Sequence, residues 1–213
     1  RLDFEAMSCL RARFAIGNEV AKRLYRWRGM DAEVLHPPLA MGGFSEGPQG
    51  DYFFLPGRLH PWKRVDLVIE AVKRSEFPFR LVIAGTGEDE ERLKRIAGDD
   101  PRIVFEGRIS DERLIQLYSN SLAVPFCPVR EDYGYVTLEA FASGKPVITC
   151  VDSGEPVHFV QHEENGLVSV PEPEALRQSL EWIFQNRDRA GIMGKKGAES
   201  VSAMSWRNVA SRL

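Results

Sequence analysis

Two glutamates, Glu131 and Glu139, stand eight residues apart with a glycine, Gly134, between them. If a helix begins near that glycine, the free backbone amides of its first turn form a positive pocket that can receive phosphate oxygens. These amides belong to Tyr135, Val136 and Thr137. The two carboxylates could then bind hydroxyls on either side of a diphosphate, those of a sugar and those of a ribose. The alternative at this point is a surface acid followed by a solvated helix residue.

A basic turn at residues 57–64 follows an apolar run. Gly57 lets the backbone bend close to a ligand, whereas Arg58 and Lys63 offer a planar fork and a point charge. Together these groups suit a diphosphate. Taken alone, the turn is also explained as a solvated basic loop.

A second glycine-containing turn, at residues 85–91, partly matches a dinucleotide-binding fingerprint. Glu90 stands where the third glycine of that motif is needed, and four successive acidic residues would repel a pyrophosphate. Acids at the start of a helix instead complement its dipole. A nicotinamide-dependent oxidoreductase is therefore a disfavoured alternative, which failure to bind NAD would exclude.

The overall composition restricts the class of protein. Among 213 residues, 28 Lys and Arg stand against 31 Asp and Glu, so no global positive field draws the chain to nucleic acid. No apolar run approaches the roughly 18 residues of a membrane span. A folded, soluble protein without a nucleic-acid partner is predicted.

Cysteine and histidine spacing gives no metal signature. The three cysteines lie far apart without a CxxC pair, which favours a reducing compartment, and no signal peptide is recognisable, so we predict a cytoplasmic location. His158 and His162 are four residues apart but lack a third ligand in register, and the chain contains no Asp-x-Asp pair. We predict neither a bound metal nor a cofactor.

From residue 51 onward, short apolar runs alternate with amphipathic stretches of helical length. Strands are predicted at residues 52–55, 80–84, 103–106, 121–125, 146–150 and 166–168. Helices are predicted at residues 63–75, 90–97, 111–118, 136–143, 156–162 and 172–185, followed by an exposed helical tail at 191–200. Several strands are continuously apolar, as expected when both sheet faces are covered. The pattern predicts an α/β fold with a doubly wound parallel sheet, whose ligands bind at the carboxyl ends of the strands.

The first 50 residues form a separate pattern. Residues 1–36 alternate helix and strand but are too few to make a core, and residues 37–50 are rich in proline and glycine, which indicates a linker. The predicted helix at residues 18–28 is basic with interleaved aromatics, so it is either a solvated helix or a membrane-surface helix.

The segment from Glu131 to Glu139 resembles the E-x7-E motif of retaining GT-B glycosyltransferases of family 4, and the likeness continues to residue 148. Four further segments agree with that family in the same order: residues 57–71, 81–87, 104–110 and 165–168. The resemblance spans nearly all of residues 50–206 and implies a Rossmann-like, donor-binding C-terminal domain at residues 51–213. Residues 1–36 then resemble the end of an N-terminal acceptor-binding domain, most of which we expect to be absent.

The resemblance also implies roles for individual residues. Arg58 and Lys63 would bind the donor's diphosphate, and the amides from Gly134 to Thr137 would cap its distal phosphate. Glu139 would bind ribose hydroxyls, whereas Glu131 would hold the sugar and help to orient its anomeric carbon. The turn bordering the nucleobase would comprise Arg108, Ile109 and Asp111.

The loop at residues 153–158 departs from the family. Relatives often carry a second glycine at position 155 and an acid at position 158, where this chain has Glu155 and His158. The family pattern therefore assigns this loop no role.

These observations predict the donor-binding half of a glycosyltransferase. The intact enzyme would transfer a hexosyl group from a UDP- or GDP-linked sugar to a carbohydrate or lipid-linked acceptor, with retention and without a metal. Its partners would include its own N-terminal domain, and peripheral membrane contact is possible through the basic helix. The alternative is a sugar-nucleotide binding module that is inactive without that domain.

Overall fold

The computed structural model describes residues 2–213, with side chains from residue 5 onward. The chain begins with helix α1 (Leu2–Ser8), strand β1 (Phe14–Ala15), helix α2 (Asn18–Arg28) and strand β2 (Glu33–Val34). Strands β1 and β2 pair in parallel, with Ala15 opposite Val34. This small unit, residues 13–37, is called the N-terminal segment below.

The main body is built on parallel strands that form two three-stranded groups. One group has the order β3 (Tyr52–Pro56), β4 (Arg80–Ala84), β5 (Ile103–Gly107); the other has the order β6 (Val124–Pro125), β7 (Val147–Cys150), β8 (Gly166–Ser169). The Leu122 amide donates to the Tyr52 carbonyl at 2.8 Å, and the Phe54 amide to the Ala123 carbonyl at 3.1 Å. The strands thus follow the order β5-β4-β3-β6-β7-β8, with β3 and β6 adjacent.

Helices cover this sheet on both faces. They are α3 (Val65–Arg74), α4 (Glu90–Ala97), α5 (Asp111–Asn120), α6 (Tyr135–Ala142), α7 (Pro156–Phe159), α8 (Pro173–Gln185), α9 (Arg187–Ser202) and α10 (Trp206–Ala210). Alternate residues of β3 enter two different cores: Phe53 and Leu55 pack in one, Tyr52 and Phe54 in the other. The predicted doubly wound parallel α/β fold is confirmed. None of the helices in residues 2–213 has the length and apolarity needed to cross a membrane.

Element ends differ from the predictions where local geometry intervenes. Helix α3 begins at Val65 instead of residue 63, because Pro61–Lys63 form a 3₁₀ turn and Arg64 has a φ of 49°. Strand β6 is shorter than predicted, because residues 122 and 123 pair only with β3. The predicted helix at 156–162 ends at Phe159, since Val160 is extended.

Residues 37–50 contain no helix or strand, yet they are attached to the main body. The buried Lys145 Nζ donates to the Gly47 carbonyl at 3.0 Å, and the ring of Phe44 packs edge-on against Tyr118 with centroids 5.5 Å apart. Burial lowers the pKa of Lys145 to about 8, although Glu46 acts in the opposite direction. The chain in this region is therefore held by a lysine whose charge is costly to bury.

The predicted exposed tail at residues 191–200 is helical, but only one of its faces is exposed, whereas the other packs on the main body. In helix α9 the residues Ala190, Met193, Gly194 and Gly197 are buried. A Cβ at Gly194 would lie 1.9 Å from the Gly144 carbonyl oxygen, and one at Gly197 would lie 2.4 Å from the Phe141 ring. The glycines, which look like helix breaks in the sequence, allow α9 to lie directly on the end of α6.

Gly194→Ala should destabilise the protein, although alanine is the better helix former. The added methyl group meets backbone, which cannot move aside cheaply, so we expect a loss of about 1–3 kcal/mol in the free energy of unfolding. Urea unfolding measures this. Gly191→Ala is the matched control, because its Cβ would meet only the end of the Gln49 side chain at 3.0 Å. The control should leave stability unchanged or raise it by up to about 1 kcal/mol. Equal effects of the two substitutions would contradict the packing of α9.

Lys145 should make stability depend on pH. Its folded pKa of about 8 lies below its ordinary value of 10.5, so between these values the unfolded chain binds more protons than the folded one. The stability of the wild type relative to Lys145→Met should therefore rise from pH 8 to pH 10.5, by on the order of 3 kcal/mol. Urea unfolding of both proteins across this range measures the difference. A difference that stays constant with pH would show that Lys145 does not titrate in this way.

Candidate active site

The candidate site lies where the carboxyl ends of β3 and β6 meet. Residues 57–64 leave β3 and residues 126–134 leave β6, at the point where the strand order reverses and where ligands of such sheets bind. The Val129 amide donates to the Trp62 carbonyl at 2.8 Å, which joins the two loops. Two turns separated by more than 60 residues in sequence thus form one surface.

Arg64 holds these loops together. Its guanidinium donates to the carbonyls of Cys127 and Pro128, both at 2.7 Å, and forms a bidentate pair with Asp152. Its left-handed backbone, with φ 49°, also ends the 3₁₀ turn that contains Lys63. The position of Lys63 therefore depends on the neighbouring arginine.

A cavity of about 450 Å³ opens between the two loops and helix α6. It is lined by Gly57, Arg58, His60, Lys63, Phe126 and Val136. The two basic residues predicted to bind a diphosphate therefore line the same cavity as the first turn of the helix that carries Glu139. This is the arrangement that the two sequence motifs require if they are to act on one ligand.

The two cations differ in their surroundings. Lys63 Nζ forms an ion pair with Glu131 Oε2 and lies 5.4 Å from the centroid of the Phe126 ring. Arg58 is exposed and, within residues 5–213, forms no ion pair or side-chain hydrogen bond. A fixed ammonium and an unpaired guanidinium thus face the cavity from the same loop.

The first turn of α6 presents both predicted and unpredicted groups. Gly134, with φ 85°, is the N-cap, and in the described chain the amides of Tyr135 and Val136 have no hydrogen-bond partner. Thr137 differs from the prediction, because its amide already donates to the Gly134 carbonyl at 2.9 Å. Its buried Oγ1 has no hydrogen-bond partner among the described residues. The Thr137 amide, which the sequence predicted for a phosphate, is therefore already used within the turn.

Glu139 lies beside a tyrosine. The fully buried Tyr118 donates its hydroxyl to Glu139 Oε2 at 2.6 Å. Burial raises the pKa of Glu139, and the Tyr118 hydrogen bond opposes that rise. The carboxylate is thus oriented through one oxygen, with the other not bonded to Tyr118.

Glu131 is held through its backbone as well as by Lys63. Its amide donates to the Ser153 carbonyl and its carbonyl accepts from the Glu155 amide, both at 2.9 Å. Gly154 makes this pairing possible, since a Cβ there would lie 2.5 Å from the Glu131 carbonyl oxygen. The position of Glu131 is therefore set by the backbone of residues 153–155 and by its ion pair with Lys63.

The predicted nucleobase turn lies at the same edge of the sheet. Ile109 packs in the hydrophobic cluster that also contains Phe126 and Val136. Arg108 and Asp111 are exposed and do not line the cavity. Of these three residues, only Ile109 belongs to a hydrophobic cluster that shares residues with the cavity lining.

The second glycine turn has a structural explanation. A Cβ at Gly85 would lie 2.0 Å from the Gly57 carbonyl oxygen, and one at Gly87 would lie 2.1 Å from that of Leu59. These glycines therefore allow the β4 loop to support the β3 loop. The acids that follow them begin α4, and Asp89 pairs with Arg92.

The two spaced histidines do not form a metal site. His158 is exposed in α7, whereas His162 lies beyond the end of that helix and its Nδ1 accepts from the Val168 amide at 3.0 Å. Among the described residues, no group of three or more His, Cys, Asp or Glu side chains is arranged to hold a metal ion.

Four residues that contact the loops or functional groups of the site were given no role in the sequence analysis. They are Arg64, Tyr118, Phe126 and Glu155. Their partners are distant in sequence, so spacing alone gives no signal for them. In the sequence, only the position of Tyr118 just before an apolar run indicates a buried ring whose hydroxyl needs a partner.

Comparison with known proteins agrees with this geometry. Residues 45–200 match the family described as glycosyl transferases group 1. A GDP-mannose-dependent alpha-(1-6)-phosphatidylinositol monomannoside mannosyltransferase of Mycobacterium tuberculosis is 32% identical over 172 residues, which cover 73% of this chain and 44% of the relative. The chain spans about two fifths of the length of the curated relatives it matches.

Solved structures show the same fold at lower identity. Sucrose-phosphate synthase from Thermosynechococcus elongatus superposes with a TM-score of 0.83 at 22% identity, covering 99% of this chain and 58% of that one. HepE of Anabaena, solved in complex with UDP-glucose, superposes with a TM-score of 0.84 at 16% identity, covering 100% of this chain and 65% of that one. The predicted likeness to a GT-B C-terminal domain is confirmed. Because the family match extends over most of its residues, the chain belongs to the glycosyl transferases group 1 family.

Proposed function

We propose that this chain is the donor-binding half of a retaining, family 4 type glycosyltransferase. It binds a UDP- or GDP-linked hexose, and the complete enzyme transfers the hexosyl group to a carbohydrate or lipid-linked acceptor. One observation carries the proposal: Arg58, Lys63 and the first turn of α6 line a single cavity, and Glu131 pairs with Lys63 there. Glu139 lies one turn further along the same helix.

The cations and the helix start stabilise a diphosphate leaving group. When the glycosidic bond breaks, negative charge grows on the distal phosphate, and in this proposal Arg58, Lys63 and the amides of Tyr135 and Val136 receive it. The proposal is supported by the cavity that Arg58, Lys63 and Val136 line together. Such fixed charges and dipoles act without reorganisation. This donor set supports a reaction that needs neither a metal nor a cofactor.

The Lys63–Glu131 ion pair links leaving-group binding to sugar binding. A diphosphate competes with Glu131 for the ammonium of Lys63, because both are anions and the lysine offers one charge. Once Lys63 turns to phosphate, the Glu131 carboxylate becomes available for sugar hydroxyls beside the anomeric carbon. In this proposal Arg58, Lys63 and Glu131 are the catalytic residues.

Glu139 binds the ribose hydroxyls at the other side of the diphosphate. Tyr118 occupies one carboxylate oxygen and sets the orientation of the group. The turn containing Arg108, Ile109 and Asp111 borders the nucleobase. Ile109 offers the apolar contact, and its place in the hydrophobic cluster that contains Phe126 supports this role.

The donor class is supported by what the relatives are named for. The mycobacterial relative is described as GDP-mannose-dependent, and HepE was solved with UDP-glucose. Retention is supported by the likeness to the E-x7-E motif. The acceptor and the cytoplasmic location stay predictions, as does membrane contact of α2, where Tyr25 and Trp27 are exposed among arginines.

A second candidate is a sugar-nucleotide binding module without activity of its own. The chain spans about two fifths of its curated relatives, and the opposite wall of a GT-B cleft belongs to another domain. Binding of UDP or GDP together with no measurable transfer by these 213 residues would favour this candidate.

Lys63→Ala should weaken the binding of UDP and GDP. Loss of a charge-assisted hydrogen bond to phosphate is expected to lower the affinity on the order of tenfold or more. Isothermal titration calorimetry on the 213-residue chain measures this. Arg74→Ala is a matched control, since Arg74 is an exposed cation at the opposite end of α3. An unchanged affinity in the Lys63 variant would refute the assignment of the diphosphate site.

Glu139→Gln should remove the preference for ribose. We expect the wild type to bind UDP on the order of tenfold more tightly than 2′-deoxy-UDP, because the carboxylate accepts from the missing hydroxyl. In the variant the two affinities should become nearly equal. Glu199→Gln, which changes an exposed glutamate of α9, should keep the wild-type ratio. If Glu139→Gln retains the full ratio, the ribose is held elsewhere.

A further inference from the structure

Glu155 is a carboxylate without solvent exposure. Asn18 Nδ2 donates to its Oε1 at 2.9 Å, His36 Nε2 lies 2.7 Å from the same oxygen, and the Glu19 amide donates to Oε2 at 3.3 Å. All three partners belong to the N-terminal segment. A buried carboxylate is costly unless it is hydrogen-bonded, so Glu155 is accommodated only when that segment is in place.

These bonds also complete helix α2. The N-cap of α2 is Gly17, which has no side chain to cap the helix. The Glu155 carboxylate accepts from the first-turn amide of Glu19 instead, and its negative charge complements the positive end of the helix. A capping side chain at position 17 would not fit beside Glu155, because a Cβ at Gly17 would lie 2.7 Å from the Glu155 carboxyl carbon.

Contacts around Glu155 extend this junction to the loop that carries Glu131. Arg23 of α2 pairs with Asp132, and the Tyr133 hydroxyl donates to the Pro37 carbonyl. The His36 ring lies 5.8 Å from the Tyr133 ring and 4.8 Å from that of Phe159. The N-terminal segment therefore rests on residues 132 and 133, directly after Glu131.

The backbone of Glu155 continues the connection to the site. Its amide donates to the Glu131 carbonyl at 2.9 Å, while its side chain binds the N-terminal segment. Burial alone would raise the pKa of Glu155, but the bonds from His36, Asn18 and the Glu19 amide outweigh it and lower the pKa. Glu155 thus binds the N-terminal segment through its carboxylate and Glu131 through its backbone amide.

We propose that Glu155 is a positioning residue that couples the seating of the N-terminal segment to the placement of Glu131, and so to the binding of the donor sugar. The inference rests on the proposed function, in which Glu131 holds the sugar. It explains why this chain carries a glutamate at a position where the family resemblance leads us to expect glycine.

The seating of the segment is tested by hydrogen exchange. Glu155→Gln keeps the shape of the side chain but places an amide where the charge was, so amides of residues 17–28 should exchange on the order of tenfold faster. Glu164→Gln, at an exposed glutamate in the turn that follows α7, is the control and should exchange as the wild type does. Unchanged exchange in Glu155→Gln would overturn the proposal, whatever the protein binds.

The effect on the sugar is tested by calorimetry with UDP, UDP-glucose, GDP and GDP-mannose. The measured quantity is the ratio of the affinity for the sugar nucleotide to the affinity for the same nucleotide without its sugar. In Glu155→Gln this ratio should fall about fivefold or more, while the affinity for UDP or GDP stays within about twofold of the wild-type value. A purely structural defect would weaken nucleotide and sugar nucleotide together, and this result would contradict the proposal.

A second variant tests the same contact in case Glu155→Gln does not fold. His36→Phe keeps a ring between Tyr133 and Phe159 but removes one bond to Glu155, and it should shift both measurements in the same direction. If the wild type binds none of the four nucleotides, the proposed function is wrong and the sugar effect is lost with it. Faster exchange in Glu155→Gln would then support only the seating of the segment.

Discussion

The adjacency of β3 and β6 is the constraint on which the rest of the molecule depends. Two hydrogen bonds, from Leu122 to Tyr52 and from Phe54 to Ala123, join the two halves of the sheet. Because parallel strands end at the same edge, this junction brings the loop with Lys63 next to the loop with Glu131. Arg64 then fixes the distance between the loops through backbone carbonyls, so the charged groups at the cavity rest on a rigid frame.

The frame also requires backbone segments to approach each other closely, and glycines make this approach possible. Gly85 and Gly87 support the β3 loop, Gly154 allows pairing with Glu131, and Gly194 brings α9 onto the end of α6. In each case a methyl group would meet a main-chain atom. The loops around the cavity are therefore shaped by contacts between backbones, and side chains supply the charge.

The strands could be predicted from the sequence, and so could the proximity of the basic turn at residues 57–64 to the segment at residues 131–139. Both follow from local apolar patterns and from the order of strands and helices along the chain. Continuous apolar runs such as residues 81–84 identify covered strands, and the topology of alternating elements places their following turns at one edge. Helix α9 was misjudged because its glycines resemble breaks until the surface beneath them is known. The burial of Glu155 could not be foreseen, since its partners are 119 and 137 residues away. Arg64 was missed for a similar reason: its left-handed backbone and its carbonyl partners exist only after β6 has packed beside β3.

The pairing of Lys63 with Glu131 has a consequence for selectivity. Each group serves as the internal counter-ion of the other, so a simple anion that takes the ammonium leaves a carboxylate without its neutralising neighbour. A ligand that brings an anion together with hydroxyl groups compensates both sides at once. If the proposed function holds, a phosphorylated carbohydrate is favoured over a simple anion, because its hydroxyls donate hydrogen bonds to the carboxylate that its phosphate leaves without the ammonium.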